Sequence, residues 1–181
     1  MTDYQFFEAG DVVLQSGLTY RGARLAYKTY GALDAFFPSL LALSGDLERA
    51  RRLQGSSFQM WNLHGIEPEV FDYQNGRVIA RTYHLRPEIV ESTYYLYFFT
   101  HDPGYRRMGE KIFGDFMRYC RTDAGYAALS DMVTKKKRDE MESFVFAETF
   151  KYFCLLFAPP DTVNLNKVVF NTEAHPLRRT W

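Results

Sequence analysis

Along the chain the spacing of apolar positions changes character near Leu33. Before it, "DVVLQSG" (11–17) and "ARLAYKTYG" (23–31) are short branched and aromatic runs bounded by glycines and separated by "LTYRG", a pattern that predicts a β-hairpin. From Leu33 onward the period is helical. "LDAFFPSLLALSG" carries Pro38 where only the first turn of a helix tolerates it. The next segment opens on Asp46 as an N-cap, with Leu47, Ala50, Leu53, Phe58 and Trp61 at helical spacing. A loop containing Pro68, Asn75 and Gly76 follows, then a helix that holds "YHLRPEIVESTYYLY" (83–97) and runs to about Thr100. "HDPGY" (101–105) separates it from a helix striped by Tyr105, Met108, Ile112, Phe113, Phe116 and Tyr119. After the loop "RTDAGYAALSD", a long helix is predicted from about Arg138 to Phe157, ended by "APPD", and "KVVFNTEAH" reads as a short strand running into a turn. Two antiparallel helices and further helical hairpins joined by loops make the expected fold mainly α.

Composition narrows the function classes. The 22 basic and 22 acidic residues cancel, and no long run of one sign exists, which excludes the electrostatic footprint of a nucleic-acid binder. "TKKKRDE" (134–140) is the densest charge cluster, but it changes sign within itself and reads as the solvated start of a helix. Phe and Tyr contribute 16 and 13 residues, which argues for a large packed interior. Cys120 and Cys154 lie in no CxxC spacing and are expected to be buried free thiols. No apolar run is long enough for a membrane span, and the first residues carry no export signal. The four histidines (64, 84, 101, 175) are scattered without an HExxH, so turn and surface roles are expected of them.

The stretch with unusual chemistry is "RPEIVE", where Glu88 and Glu91 stand at the mouth of an apolar helix. Carboxylates beside such a run imply a wet helix end or a cavity. Read from the residues alone, Pro87 and Glu88 also make a good first turn whose acids complement the helix dipole. On the same terms Phe144 is a core side chain and Glu148 part of a solvated face, with Lys151 the nearest following cation.

"LRPEIVESTYYLY", "CRTDAGYAAL", "RDEMESFVFAETFKYFCLLF" and "VFNTEAHPL", preceded by "LDAFFPSLLALSGDLERA", together resemble the C-terminal part of glycoside hydrolase family 47. These are the class I α-1,2-mannosidases and their ER degradation-enhancing relatives. The resemblance runs from about Leu33 to the end and implies part of an (α/α)7 barrel with calcium at its floor, which hydrolyses terminal α-1,2-linked mannose with inversion. Inversion needs one carboxylic acid and one carboxylate about 6.5 to 9.5 Å apart. It also implies Glu88 as the base that activates water, with Arg86, Glu69, Phe144, Glu148 and Glu91 around the sugar; Phe144 stacks on the ring. In "NTEAH" Thr172 is the implied calcium ligand, offering carbonyl and hydroxyl together, and Glu173 orients the surrounding waters. The implied partner is a mannose-bearing oligosaccharide or glycoprotein, and the implied compartment the endoplasmic reticulum.

Residues 1–32 are expected to form a hairpin of different origin and 33–181 the mannosidase-like part. "FFEAGDVVLQSGLTYRGARLAYKTYGAL" (6–33) resembles the N-terminal strands of homoserine O-acetyltransferase-like α/β-hydrolases, yet the chain has no GxSxG elbow to supply a nucleophile. The family's general acid lies N-terminal to the matched blocks, and nothing before Leu33 resembles it. Three functional expectations therefore stand side by side: a hydrolase, a non-catalytic mannose-binding module, and an inactive fusion fragment. A partial barrel also predicts exposed apolar helix faces, to be covered by self-association or a partner chain.

Overall fold

The computed structural model describes residues 5–13, 17–27, 29–159 and 162–180. The expected hairpin is present: β1 (Gln5–Val13) pairs antiparallel with β2 (Thr19–Tyr27) in a two-stranded sheet of its own, with register shifts around Gly10. Residues 14–16 of "DVVLQSG", and Pro160 and Asp161 of "APPD", lie outside the described residues.

β3 (Tyr30–Gly31) leads into a 3₁₀ turn (Ala32–Phe36) and α1 (Phe37–Leu43), which takes Pro38 in its first turn as expected. α2 (Leu47–His64) starts on Asp46, whose carboxylate accepts from the Arg49 N–H at 3.1 Å, and ends where Gly65 turns left-handed at φ 71°. The loop expected around Pro68, Asn75 and Gly76 instead contains β4 (Val70–Asp72) and β5 (Arg77–Ala80), which extend β3 into a three-stranded sheet. These strands are too short for alternation to register in the sequence.

α3 (Glu88–Thr100) is the axis of the molecule, packed against α1, α2, the antiparallel α4 (Pro103–Cys120) and α5 (Lys151–Phe157). Neighbours on most sides explain why it is apolar nearly all round, with Ile89, Val90, Tyr94 and Leu96 buried. Its few buried polar groups tie the helices together. Ser92 Oγ donates to Ala35 O at 2.5 Å and accepts from Ser39 N–H at 3.0 Å, while Gln54 Nε2 donates to Thr93 Oγ1 at 2.8 Å and Ile89 O at 3.1 Å. The core continues through Trp61, edge-on to Tyr83 at 6.0 Å, with its indole N–H on Asp115 Oδ2 at 2.9 Å. This is a partial helical barrel, mainly α, as expected.

The 121–143 region departs from the sequence reading. β6 (Arg121–Thr122) and β7 (Gly125–Tyr126) form one small hairpin, β8 (Leu129–Asp131) and β9 (Lys136–Lys137) another. "TKKKRDE" is therefore a hairpin arm and not a helix start: Lys135 and Lys137 use their ammonium groups on backbone carbonyls, Met132 O at 2.6 Å among them. The long helix expected from Arg138 begins only with a π-helical turn (Val145–Phe150) that continues as α5, because Ala128 N–H donates to Glu140 O and keeps residues before 141 extended. Cys120 is buried and its thiol is pushed up to about 12 by that burial, but Cys154 is exposed, against expectation. β10 (Val168–Phe170) is the expected short strand, and it pairs with β11 (Pro176–Arg178) across the "NTEAH" turn.

Exposed apolar side chains are present at Leu33, Phe36, Leu40 and Leu43, spaced so as to fall along one side of the 3₁₀ turn and α1. No helix among the described residues is long and apolar enough to cross a membrane.

Two glycines of α4 give a paired test of its packing. A Cβ on buried Gly109 would meet Leu156 Cδ2 at 2.1 Å, whereas one on Gly114 would meet nothing within 4 Å. Gly114→Ala should raise stability by up to about 1 kcal/mol through helix propensity, and Gly109→Ala should lower it by about 1 to 3 kcal/mol through overpacking, as read by urea unfolding.

Candidate functional site

The site is built on the strained approach to α3. Tyr83 N–H donates to Leu129 O and Leu129 N–H returns to Tyr83 O, at 3.0 and 2.8 Å, which pins the approach to β8. Leu85 adopts φ 61°, rare for a side chain with a Cβ, and its carbonyl accepts from Thr149 Oγ1 at 2.7 Å. That contact explains why a buried threonine sits in the π-helical turn. The result is that Arg86 and Glu88 project from a segment fixed on two sides.

Arg86 forms a fork with Glu69, Nη2 to Oε1 at 2.6 Å and Nε to Oε2 at 3.3 Å, both side chains only about a fifth exposed (20%). The guanidinium also stands 5.8 Å from the Phe144 ring centroid. Glu88 is the first residue of α3; burial pushes its carboxyl up to about 7, against the opposing pull of its own backbone N–H and of Arg86. One of its oxygens, Oε2, is buried without a hydrogen-bond partner. Glu69, Arg86, Glu88 and Phe144, all singled out from the sequence, thus belong to one neighbourhood.

A second group adjoins it. Tyr152 O–H donates to Glu91 Oε1 at 2.8 Å, and burial raises Glu91 in spite of that bond, with Glu148 adding to the rise. Glu148 pairs with Lys151 at 2.6 Å, and the same ammonium lies 5.9 Å from the ring of Phe170, in the strand that leads to Thr172. Phe144, the residue that leads into the π-helical turn, lies against Arg86, and Glu148, within the turn, pairs with Lys151.

Thr172 and Glu173 are exposed on the β10–β11 turn, and among the described residues no hydrogen bond or ion pair joins their side chains to either group. The turn itself is well braced: Asn171 Oδ1 accepts from Glu173 N–H at 3.0 Å and His175 N–H at 2.8 Å. A hydroxyl, carbonyls and a carboxylate on such a turn make an all-oxygen donor set of the kind a hard cation takes.

Sequence reasoning passed over Glu67. It is fully buried, neither carboxyl oxygen has a hydrogen-bond partner, and burial followed by the charge of Glu88 pushes it well above the carboxylate range. Its position in "IEPE", one residue from a chosen acid, was the only available signal. His84 also does more than surface duty: its ring lies 3.8 Å from Glu140, and with Glu142 the three ligand atoms fall within 4.8 Å of one another. Arg138 occupies the other oxygen of Glu140, so this is an ion-pair cluster. A cleft of about 360 Å³ between α3, α5 and β10 is lined in part by Lys151 and Tyr152, and another of about 630 Å³, lined by Arg121, Asp123 and Lys137, holds none of the site residues.

Glu67, Glu88 and Glu91 all hold protons more tightly folded than unfolded. Their contribution to stability is complete below the ordinary glutamate range and is lost as pH rises through about 7 and above. The chain should be more stable at pH 5 than at pH 8, by on the order of 1 to 3 kcal/mol from Glu88 alone, measured by denaturant unfolding across that range.

The sequence profile of glycosyl hydrolase family 47 matches residues 7–179. Mannosyl-oligosaccharide 1,2-alpha-mannosidase IC of Homo sapiens is 43% identical over 202 aligned positions, covering 96% of this chain and 32% of the relative. Alpha-mannosidase I MNS4 of Arabidopsis thaliana is 37% identical over 163, covering 86% and 26%. The solved alpha-1,2-mannosidase from Trichoderma reesei superposes with a TM-score of 0.74 at 29% identity, over 88% of this chain and 41% of that one. The chain therefore spans about a quarter to a third of the length of these curated relatives. With its helical core and the carboxylate groups around α3 matched along nearly its whole length, the chain belongs to glycosyl hydrolase family 47.

Proposed function

We propose that this chain carries the water-activating and sugar-positioning half of a calcium-dependent, inverting α-1,2-mannosidase site. The observation that carries the reading is the pairing of a forked Arg86–Glu69 contact with a half-buried Glu88 whose carboxyl is pushed up to about 7. A base with a pKa near the working pH is ionised often enough to accept a proton and basic enough to take it from water. In this reading Glu88 removes that proton as the water oxygen attacks the anomeric carbon. Arg86 and Glu69 hold sugar hydroxyls, Phe144 offers a flat apolar face to the ring, and Glu91 and Glu148 complete the polar wall. The proton for the departing oxygen comes from a general acid that the family resemblance assigns to no residue of this chain.

Thr172 would hold the calcium through its hydroxyl and carbonyl, with Glu173 orienting the waters around it. A bound calcium supplies a fixed positive charge that orders sugar hydroxyls and water. The substrate class, a mannose-bearing oligosaccharide or glycoprotein, and a place in the secretory pathway follow from relatives named as ER degradation-enhancing alpha-mannosidase-like proteins and mannosyl-oligosaccharide mannosidases. The division into a hairpin unit (1–32) and a helical unit (33–181) is part of the same proposal, supported by the separate sheet of β1 and β2, while the family profile extends into the hairpin from residue 7. So is a partner or second copy over the apolar side at Leu33, Phe36, Leu40 and Leu43. A non-catalytic mannose-binding role is the second reading, favoured by the unassigned acid.

Calorimetric titration with Ca²⁺ should give binding that tightens when α-1,2-mannobiose is present and weakens at least about tenfold in Thr172→Ala, since one residue supplies two ligand atoms. Absence of calcium binding in the parent chain would contradict the reading, and a parallel assay for released mannose separates hydrolase from binding module.

A mannose-shaped iminosugar, cationic at neutral pH, should lose affinity as pH falls through about 7 and Glu88 becomes neutral. Glu88→Gln should abolish that pH dependence. Phe144→Ala should weaken binding by about 3- to 10-fold at every pH.

A further inference from the structure

Three buried carboxyl oxygens lack a hydrogen-bond partner in this part of the molecule: both of Glu67 and Oε2 of Glu88. A carboxylate sealed from water with nothing to neutralise it is among the costliest states a side chain can adopt, so a residue so placed keeps a proton. A protonated carboxyl in turn carries a donor that needs an acceptor. The titratable groups near enough to influence Glu67 electrostatically include Glu88, Glu69, Arg86, Tyr30 and Tyr83. Both oxygens of Glu69 are taken by Arg86, and the Tyr30 hydroxyl is engaged with Ser57 Oγ at 2.7 Å. Glu88 Oε2 is the one other buried carboxyl oxygen among the described residues that has no hydrogen-bond partner.

We propose that Glu67 is a positioning residue for Glu88: a neutral carboxylic acid, buried behind the Arg86–Glu69 fork, whose O–H is donated to Oε2 of Glu88. That bond holds the Glu88 carboxylate by one oxygen and leaves the other for water or substrate. Glu67 acts through Glu88 and need not touch sugar. The functional meaning of the bond rests on the proposed role of Glu88 as base. The contact itself can be tested without that role.

The test is a carbon-13 NMR titration of the full chain labelled at the glutamate carboxyls, in parent, Glu67→Gln and Glu67→Leu forms. The parent should show Glu67 protonated throughout the range in which Glu88 titrates, near 7. Glu67→Gln keeps a donor and should leave the Glu88 midpoint within a few tenths of a unit. Glu67→Leu removes the donor that favours the charged form and should raise that midpoint by about one unit, a tenfold change in proton affinity. Glu67 ionising before or together with Glu88 would overturn the proposal. So would a Glu88 midpoint that moves by a unit in Glu67→Gln, or one that stays put in a folded Glu67→Leu chain that is merely less stable. Should Glu67→Leu fail to fold, the parent and Glu67→Gln titrations decide the matter. A chain that shows the coupled titration but binds no iminosugar retains the Glu67–Glu88 contact and loses only the mannosidase reading.

Discussion

A carboxyl group taken out of water must find a cation, a hydrogen-bond donor or a proton, and the inner end of α3 offers one guanidinium to three carboxyls. Arg86 is committed to Glu69 by its fork, and its own charge is reinforced: burial works against it, but Glu69, Glu88 and Glu67 outweigh that and raise it further. Burial pushes Glu88 and Glu67 above the ordinary carboxylate range, and the pull of Arg86 does not offset it. A shortage of positive charge at a buried site is costly for folding and is a common way for proteins to hold a carboxyl near neutrality for proton transfer.

The rest of the architecture keeps that arrangement rigid. α3 is buried among four helices, and Gln54, Ser92 and Thr93 lock its depth through side-chain bonds that reach other segments of the chain. The segment before α3 is tied to β8 through Tyr83 and to the π-helical turn through Thr149, which between them hold Leu85 in a left-handed conformation. Backbone strain of that kind persists only where the surroundings over-determine it. The turn that binds Leu85 also carries Glu148 and, through Lys151 and Phe170, leads to the β10–β11 hairpin. One short π-helical segment thus connects the two carboxylate groups with the oxygen-rich turn at Thr172.

Much of this was legible in the sequence because it rests on long periodic patterns or special residues. Asp46 announced α2, Pro38 announced α1, and the stripes of α3 and α4 gave two antiparallel helices whose ends fall close to the expected positions. What stayed hidden has a physical cause in each case. β4 to β9 are two to four residues long, so alternation cannot show; they pair as tight local hairpins, and only β3–β4 and the Tyr83–Leu129 bridge tie them to distant segments. The stretch from Arg138 to Ser143 has helix-forming composition, but tertiary bonds to Ala128 draw it out. Among the site residues, Glu69, Arg86, Glu88 and Phe144 were named from a family resemblance and share one neighbourhood. Glu67 escaped because an acid next to a proline in a loop looks solvated until burial is known.

The most direct test of the account is a crystal structure of the chain grown with Ca²⁺ and α-1,2-mannobiose. The account requires a mannose ring against Phe144, hydroxyls within hydrogen-bond reach of Arg86 and Glu69, the metal on Thr172, and Glu88 facing the sugar with its inner oxygen toward Glu67. A sugar seated elsewhere, or Glu67 and Glu88 both turned out into solvent, would contradict it.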